Sequence, residues 1–185
     1  MRGFFKGLLT DLNSYPYLDT KTKPVFSSRL ADITPRYKPE KVIDISESSE
    51  VRASELRVKL KMLQSAGQLD GGLPVVRRGL LVGLIPAPDL EYALDRLNEE
   101  ENEFCLMAPR DEYSVDSDDE DFSAKGPTDF TPYIDPAPVS LERNSPMDLV
   151  WECFAKLGLR YLCVLRDGKF VGVVGYPPWH ISFID

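Results

Sequence analysis

The chain has 185 residues, and 22 Lys and Arg against 30 Asp and Glu give it a formal net charge of −8. That length fits one compact domain or two small, closely packed domains, and a 43% share of hydrophobic residues supplies a core. An acidic chain without a cluster of Lys and Arg lacks the positive surface that binds phosphate backbones. We therefore expect no nucleic-acid partner.

The longest apolar stretch, residues 80–85, is far shorter than the roughly 20 residues of a membrane-spanning helix. The N-terminus does not resemble a signal peptide, because Lys6 interrupts its apolar region and no small-residue cleavage site follows. These features predict that the chain as given is soluble and cytoplasmic. Three widely spaced cysteines fit neither a disulfide framework nor a zinc site, so we expect Cys153 and Cys163 to be buried.

Regular structure is predicted to begin only after a lead-in of 39 residues, which is rich in Pro, Tyr and Asp and shows no sustained hydrophobic period. Apolar residues then recur at helical spacing through residues 54–66. Ser54 is a suitable N-cap for this helix, and Gly67 is a suitable C-terminal stop. The pattern predicts a helix with one buried face.

A tight hairpin is predicted next, since the apolar runs at 73–77 and 80–85 are joined by Arg78-Gly79. A second helix is predicted from about residue 88 to residue 97. Asp89 lies near its N-terminus, where the helix dipole favours a carboxylate.

An acidic segment follows, and seven of the eleven residues at 111–121 are Asp or Glu. Like charges at this density repel one another and resist burial, so we expect an extended, solvated linker. Within it, Ser117 precedes Asp118-Asp119-Glu120 and resembles a site for an acidophilic kinase. Ser117 is therefore a candidate phosphorylation site.

A second set of elements follows the acidic segment. Ser145-Pro146-Met147-Asp148 is typical of a capping box with Pro146 at the first helical position, and this helix is predicted to end at Gly158. Residues 161–165 and 170–174 then form a second predicted hairpin around Asp167-Gly168.

The two sets of elements repeat each other. A shift of 89 residues places residues 75–85 on residues 164–174, and it aligns Arg77 with Arg166, Gly79 with Gly168 and Gly83 with Gly172. A shift of 91 residues aligns the preceding helices, with Ser54 on Ser145 and Gly67 on Gly158. Any two helix–hairpin units share an apolar pattern, but these coincidences favour a true duplication.

The order of predicted elements is a helix, a strand, a turn, a strand with a late glycine, and another helix. This order occurs twice, and it resembles the CBS domain. The implied fold is mixed α/β: tandem CBS domains, each a small sheet flanked by helices, packed as a pseudo-twofold pair. The implied boundaries are a lead-in at 1–39, a first domain at 40–98, an acidic linker at 99–130, a truncated second domain at 131–174 and an atypical tail at 175–185.

Three ordered motifs narrow the resemblance to the CLC family of chloride channels and chloride/proton exchangers. Residues 12–19, LNSYPYLD, look like the segment that follows the last membrane helix of eukaryotic members. Residues 69–76, LDGGLPVV, are similar to the first CBS domain of fungal members. Residues 145–148, SPMD, with residues 154–160, FAKLGLR, are similar to the second CBS domain.

This resemblance implies a regulatory role and no enzymatic activity, since the permeation residues of the family lie in membrane helices that this sequence lacks. The implied partners are the membrane domain of a CLC transporter and a second copy of the chain, bound through CBS helices. The implied location is the cytosolic face of an intracellular membrane, of the Golgi, endosome or vacuole. A free-standing CBS pair that senses adenylates is the alternative.

CBS pairs often bind ATP, ADP or AMP, and the family pattern has a ribose-binding carboxylate six residues after the late glycine. Gly83 leads to Asp89 and fits, whereas Gly172 leads to Pro178 and does not. Pro86 removes a phosphate contact that a hydroxyl residue would supply. A carboxylate at a helix end has a purely structural explanation for Asp89 as well. The residues that the resemblance places in the nucleotide cleft are Asp89, Asp70, Gly71 and Asp44.

The C-terminus departs from the family pattern. Pro177 and Pro178 stand where a closing helix is needed, and two prolines cannot lie inside it. The last eleven residues are therefore interpreted as an unnatural tail, and Met1 as an internal methionine of a longer chain. His180, the single histidine, lies in this tail, which argues against a Ser-His-Asp or Cys-His catalytic arrangement.

Overall fold

A computed structural model describes residues 26–35, 38–67, 71–97, 103–108 and 126–175. The helices in these residues are α1 (Leu30–Ile33), α2 (Ala53–Ser65), α3 (Ala87–Asp95) and α4 (Met147–Leu157). The strands are β1 (Ile43–Asp44), β2 (Glu50–Arg52), β3 (Gly72–Arg77), β4 (Leu80–Pro86), β5 (Phe104–Leu106), β6 (Thr128–Asp129), β7 (Ser140–Glu142), β8 (Tyr161–Arg166) and β9 (Lys169–Gly175).

The strands form three small sheets with the orders β1-β3-β4, β2-β5-β6 and β7-β8-β9. In the first sheet β1 runs parallel to β3, and β3 runs antiparallel to β4. The third sheet repeats this pattern, with β7 parallel to β8 and β8 antiparallel to β9. We refer to residues 38–97 as copy 1 and residues 136–175 as copy 2. The predicted mixed α/β class, with small sheets flanked by helices, is confirmed.

The two hairpins are identical in register. Gly72 pairs with Pro86 in copy 1, and Tyr161 pairs with Gly175 in copy 2, 89 residues further along each strand. Both hairpins also contain a bulge at equivalent points of the first strand. At the turns, Arg78 and Asp167 each have φ of 52°, and a glycine with positive φ follows each of them. A two-residue hairpin turn of type I′ requires these angles, so the predicted hairpins are confirmed.

The helix ends are confirmed more closely than the helix starts. Gly67 and Gly158 have φ of 67° and 65°, and glycine adopts this left-handed conformation easily. The predicted N-caps are wrong: α2 follows Arg52 rather than Ser54, and α4 follows Pro146. Ser145 lies one residue before the N-cap of α4, in chain that pairs with residues 28–30, where Leu30 N–H donates to Ser145 O at 2.9 Å.

Each copy has its own hydrophobic core. The core of copy 1 lies between α2, α3 and the first sheet, and it includes Leu56, Leu60 and Ile85. The core of copy 2 lies between α4 and the third sheet. It includes Phe154 and Val164.

Two segments cross between the copies. The first crossing segment, residues 26–35, precedes copy 1 but places Leu30 in the core of copy 2. The second crossing segment, residues 128–135, precedes copy 2 but places Phe130 in the core of copy 1. The lead-in predicted to lack regular structure therefore contains α1, in which Leu30 is buried and whose four residues are too few to show a hydrophobic period.

The late glycine of each hairpin lies where a crossing segment passes over the sheet. A β-carbon at Gly83 would lie 2.6 Å from Ile134 Cγ2 and 2.8 Å from Asp135 O. A β-carbon at Gly172 would lie 3.1 Å from Thr34 Cγ2 and 3.2 Å from Pro35 O. Glycine is needed at both positions because another segment of backbone approaches the strand closely.

The two hairpins lie side by side through β4 and β9. Phe170 N–H donates to Gly79 O at 2.9 Å, so the turn of one hairpin lies beside the turn of the other. The open ends of the hairpins, where Gly72 and Tyr161 begin β3 and β8, lie at the opposite pole.

Both ends of the predicted linker form strands. β5 pairs with β2 in antiparallel orientation and with β6 in parallel orientation, and these strands bring residues 103–108 and 126–129 together. The acidic run at 111–121, the motif at 12–19 and residues 176–185 lie outside the described residues. Among the helices that the structure describes, none is both long and apolar enough to cross a membrane.

Candidate functional site

The start of α3 brings two of the predicted site residues together. Ala87 N–H, at the first helical position, donates to Gly71 O at 3.0 Å. Asp89 lies in the first turn, with its side chain exposed to solvent. Gly71 and Asp89 therefore lie at the same end of copy 1, and their assignment to a nucleotide cleft stays a prediction.

The N-terminus of α3 has little capacity to bind phosphate. Helix N-termini attract anions because their first amide groups are unpaired and aligned with the helix dipole. Here the Ala87 amide is bonded to Gly71, and Pro88 has no amide hydrogen. The carboxylate of Asp89 adds negative charge to the same turn. Two of the first three helical positions thus offer no donor to a ligand.

Tyr161, at the start of β8, is a half-buried aromatic side chain whose pKa is affected by Asp89. Burial raises the pKa of its phenol, and Asp135, Cys163 and Asp89 raise it further, while Arg160 lowers it. A carboxylate raises the pKa of a phenol only where the two groups lie close together. The negative charges of Asp89, in copy 1, and Asp135, in the second crossing segment, therefore both act on Tyr161 of copy 2.

We call Asp89, Asp135 and Tyr161 the junction cluster. Asp135 is held firmly, since Leu84 N–H donates to its carbonyl at 2.9 Å and its own N–H donates to Leu84 O at 2.8 Å. Its Oδ1 also accepts from Ala137 N–H at 3.0 Å. Chemically, the cluster offers two carboxylates that can accept bonds from hydroxyl groups and one partly buried aromatic ring.

Sequence analysis missed Tyr161 and Asp135, although a signal was present for both. Ile134-Asp135-Pro136 matches Ile33-Thr34-Pro35, which marks Asp135 as part of the repeat. Tyr161 stands 89 residues after Gly72, at the same position of its hairpin. One of two repeated positions thus has an aromatic residue where the other has glycine. Such a difference indicates a candidate binding position.

Asp44 lies elsewhere. It pairs with Val76 near the turn of the first hairpin, four residues along β3 from Gly72, which is a distance of roughly 13 Å. Asp44 Oδ1 accepts from the N–H and hydroxyl of Ser46, and Ser46 Oγ accepts from Arg78 N–H at 2.7 Å. This arrangement gives Asp44 a structural role in holding the turn, so its assignment to a nucleotide cleft stays a prediction.

Two predicted site residues, Asp70 and Ser117, lie outside the described residues. The cysteine prediction is confirmed, since Cys153 and Cys163 are both buried with free thiols. Burial raises the pKa of the Cys163 thiol to about 12, with a further contribution from Asp135. This thiol is therefore protonated and unreactive at neutral pH. Within the described ranges, no three His, Cys, Asp or Glu side chains are grouped so that they could hold a metal ion.

No protein-family model matches the chain. Among curated proteins it is similar to H(+)/Cl(-) exchange transporter 3 of Rattus norvegicus and of Homo sapiens, with 22% identity over 166 residues in each case. The similarity covers 88% of this chain and 20% of each transporter. The chain thus spans about a fifth of the length of the curated relatives that it matches.

Solved structures share the fold. A putative acetoin utilization protein, AcuB, from Vibrio cholerae has a TM-score of 0.51 at 11% identity, covering 81% of this chain and 85% of that one. The soluble part of a magnesium transporter has a TM-score of 0.51 at 14% identity, with coverages of 83% and 46%. CBSX2 in complex with AMP has a TM-score of 0.48 at 16% identity, with coverages of 82% and 93%. The likeness to the first two structures shows a shared mixed α/β fold of small sheets flanked by helices.

Proposed function

We propose that the chain is the cytosolic regulatory module of a CLC-type chloride channel or chloride/proton exchanger of fungal type. In this role it modulates chloride transport across an intracellular membrane of the Golgi, endosome or vacuole and catalyses no reaction itself. The observation that carries the proposal is the similarity to H(+)/Cl(-) exchange transporter 3, which extends over 88% of the chain. A match of that length has to include both copies and the segments that cross between them.

The fold supports regulation because the two copies are mechanically linked. Each crossing segment precedes one copy and places a buried side chain in the core of the other copy. The hairpin turns are also bonded directly, through Gly79 and Phe170. A displacement of one copy therefore has a physical route to the other.

The same proposal includes two partners, the membrane domain of the transporter and a second copy of the chain. Val58 and Met62 lie one turn apart on α2, with 52% and 40% of their surface exposed, and Leu149 on α4 is 41% exposed. Apolar side chains on adjacent turns of a helix form a surface that a second helix can cover. This supports a homodimer that associates through helix faces.

A chimeric transporter tests the proposal. In human H(+)/Cl(-) exchange transporter 3, the region that this chain matches is replaced by the chain, and proton-coupled chloride currents are recorded with surface expression measured in parallel. We expect the chimera to restore currents that a deletion of the region abolishes. A chimera carrying Gly83→Trp, which blocks the second crossing segment, serves as the control and should behave like the deletion.

The proposal fails if the chimera reaches the membrane at the normal level and still behaves like the deletion. It also fails if the Gly83→Trp chimera restores current as well as the original chimera does, since the folded module would then be irrelevant.

A free-standing CBS pair that binds an adenine nucleoside or nucleotide is the second candidate, and the junction cluster favours it. Asp89 can accept bonds from ribose hydroxyls, and the Tyr161 ring can contact a base. Because Asp89 and Asp135 are both negative and the α3 N-terminus has few free donors, adenosine should bind better than AMP, and AMP better than ATP.

Calorimetric titration of the chain with adenosine, AMP and ATP tests this candidate. Asp89→Asn should weaken adenosine binding by about tenfold, the value of one bond to a charged group. Asp44→Asn is the matched control, since Asp44 is a predicted site residue near the other end of the hairpin, and it should leave binding unchanged. Absence of heat with all three ligands, or equal losses in both variants, would contradict the assignment.

A further inference from the structure

The first crossing segment belongs to copy 2 by its contacts, although it precedes copy 1 in the sequence. Leu30 is fully buried in the core of copy 2, among Met147, Val150 and Phe154, and Phe26 and Ile33 pack against the same core. A segment of ten residues thus fills part of the interior of a unit that begins about a hundred residues later.

Its attachment to copy 2 is short and local. Arg29 and Pro146 form an isolated antiparallel bridge. Around this bridge, Leu30 N–H donates to Ser145 O at 2.9 Å, and Met147 N–H donates to Ser28 O at 3.3 Å. The single helix in the segment, α1, has four residues, which is too short to be stable in isolation. Its order therefore depends on the contacts with copy 2.

The second crossing segment is attached more firmly. Residues 128–129 form β6, which pairs with β5, and Phe130 N–H donates to Leu106 O at 3.0 Å. At its other end Asp135 makes two backbone bonds with Leu84, at 2.9 and 2.8 Å. The two crossing segments, which occupy equivalent places, therefore differ in how easily they can leave the sheet they cross.

We propose that residues 26–35 act as a detachable strap on copy 2. When the strap detaches, Leu30 leaves its pocket and α4, β8 and β9 loosen, while copy 1 stays ordered. Local opening of this kind begins where few backbone bonds and few buried side chains hold a segment. The strap is a device of the fold and does not depend on the transporter proposal.

Hydrogen exchange of the full chain, followed by mass spectrometry, tests the strap. Leu30→Ala should lower protection of residues 147–175 by about 30-fold or more while changing residues 53–94 much less, since it opens a cavity in copy 2. Phe130→Ala is the reciprocal control and should loosen residues 53–94 instead. Equal loosening of both copies by Leu30→Ala, or loosening confined to copy 1, would overturn the proposal.

A reversible lock gives a second test that does not remove a core side chain. Facing residues in a bridge of this type have Cα atoms about 4.5 Å apart, within the range of a disulfide. In the double variant Arg29→Cys with Pro146→Cys, oxidation should slow exchange in residues 147–175 by about tenfold relative to the reduced form. The single variants control for each substitution. If oxidised and reduced forms exchange alike, or both copies slow equally, the strap does not open and the proposal is wrong.

Discussion

Copy 1 and copy 2 have the same hairpin, yet they support its turn with different chemistry. In copy 1, Ser46 Oγ accepts from Arg78 N–H at 2.7 Å, and Ser46 is in turn bonded to Asp44. In copy 2, the carboxylate of Glu142 accepts directly from Asp167 N–H and Gly168 N–H, each at 3.3 Å. Register and backbone conformation are kept, whereas the side chains that hold them have diverged.

The open ends of the hairpins differ more. Copy 1 has Gly72 where copy 2 has Tyr161, and Asp135 of the second crossing segment stands where the first has Thr34. The junction cluster draws its three side chains from these unequal positions. The junction cluster, which occurs once in this duplicated fold, therefore lies where the sequences of the two copies differ.

The largest expected difference between the copies is at the late glycines. Gly83→Ala should lower the free energy of unfolding by about 2–3 kcal/mol, because its β-carbon would lie 2.8 Å from a backbone oxygen. Gly172→Ala should lower it by about 1 kcal/mol, because the corresponding distance is 3.2 Å. Urea unfolding measures both. Gly126→Ala, where no atom lies within 4 Å, is the control and should be near neutral. Equal costs at 83 and 172 would contradict the model of one tight and one looser crossing.

Ionisation of buried groups in copy 2 should limit the stability of the folded chain at alkaline pH. Cys163, with a pKa of about 12, and Tyr161, with a raised pKa, hold their protons more tightly when folded than when unfolded. Above the unfolded cysteine pKa near 9 the unfolded state binds fewer protons, so the unfolding free energy falls as pH rises. We expect a loss of about 1 kcal/mol per pH unit between roughly pH 9 and pH 11.

Cys163→Ala should flatten this slope even though it lowers stability at neutral pH, and denaturant titrations at several pH values measure the slope. Cys153→Ala removes a thiol whose pKa burial also raises, but it is a less buried residue and should change the slope less. A slope unchanged by Cys163→Ala would show that the alkaline loss arises elsewhere.

The side chains that support the two hairpin turns, Ser46 and Glu142, should respond differently to conservative substitutions. Ser46→Ala should cost about 1 kcal/mol, because Arg78 N–H loses its acceptor and Asp44 loses the hydroxyl donor while keeping the backbone N–H of residue 46. Glu142→Gln should cost about 0.5 kcal/mol, because the amide oxygen can replace only one of the two carboxylate oxygens that accept these long bonds and the NH2 group cannot accept from the other turn amide. Thermal unfolding at low and high salt measures the pair. A larger loss for Glu142→Gln would indicate that charge, rather than an acceptor, stabilises the second turn.

The smallest expected effect is at the first residue of each turn. Arg78→Asn should stabilise the chain by about 0.5 kcal/mol, since Asn adopts the positive φ of 52° more readily than Arg. Asp167→Asn should change stability by less, because Asp already tolerates this conformation. The difference is measurable by urea unfolding with both variants made in the same background. A stabilisation at Asp167 as large as that at Arg78 would show that φ is not the cause.

Local signals in the sequence were sufficient for the hairpins and the helix ends. Arg78-Gly79 and Asp167-Gly168 specify turns, and Gly67 and Gly158 specify stops, because each acts through the backbone of its own residues. Gly71 and Asp89 were assigned to one cleft by the resemblance, and the pairing of β3 with β4 accounts for their lying at the same end of copy 1.

Contacts between the copies were beyond this reasoning. Leu30 lies in a segment too short to show a period, and its partners are more than a hundred residues away in the sequence. Tyr161 and Asp135 belong to the junction cluster only because β4 and β9 pack side by side. No local sequence pattern specifies this packing. Asp44 was assigned to the cleft from the resemblance alone, and its bonds to Ser46 near the turn could not be read from a local pattern either.

The most direct test of a transporter-linked regulatory module is the sequence of the native transcript, read upstream of the codon for Met1 and across the codons for residues 175–185. We expect codons for membrane-spanning helices in frame before Met1. A stop codon in frame immediately upstream of Met1 would contradict the account and leave a free-standing CBS pair as the function to pursue.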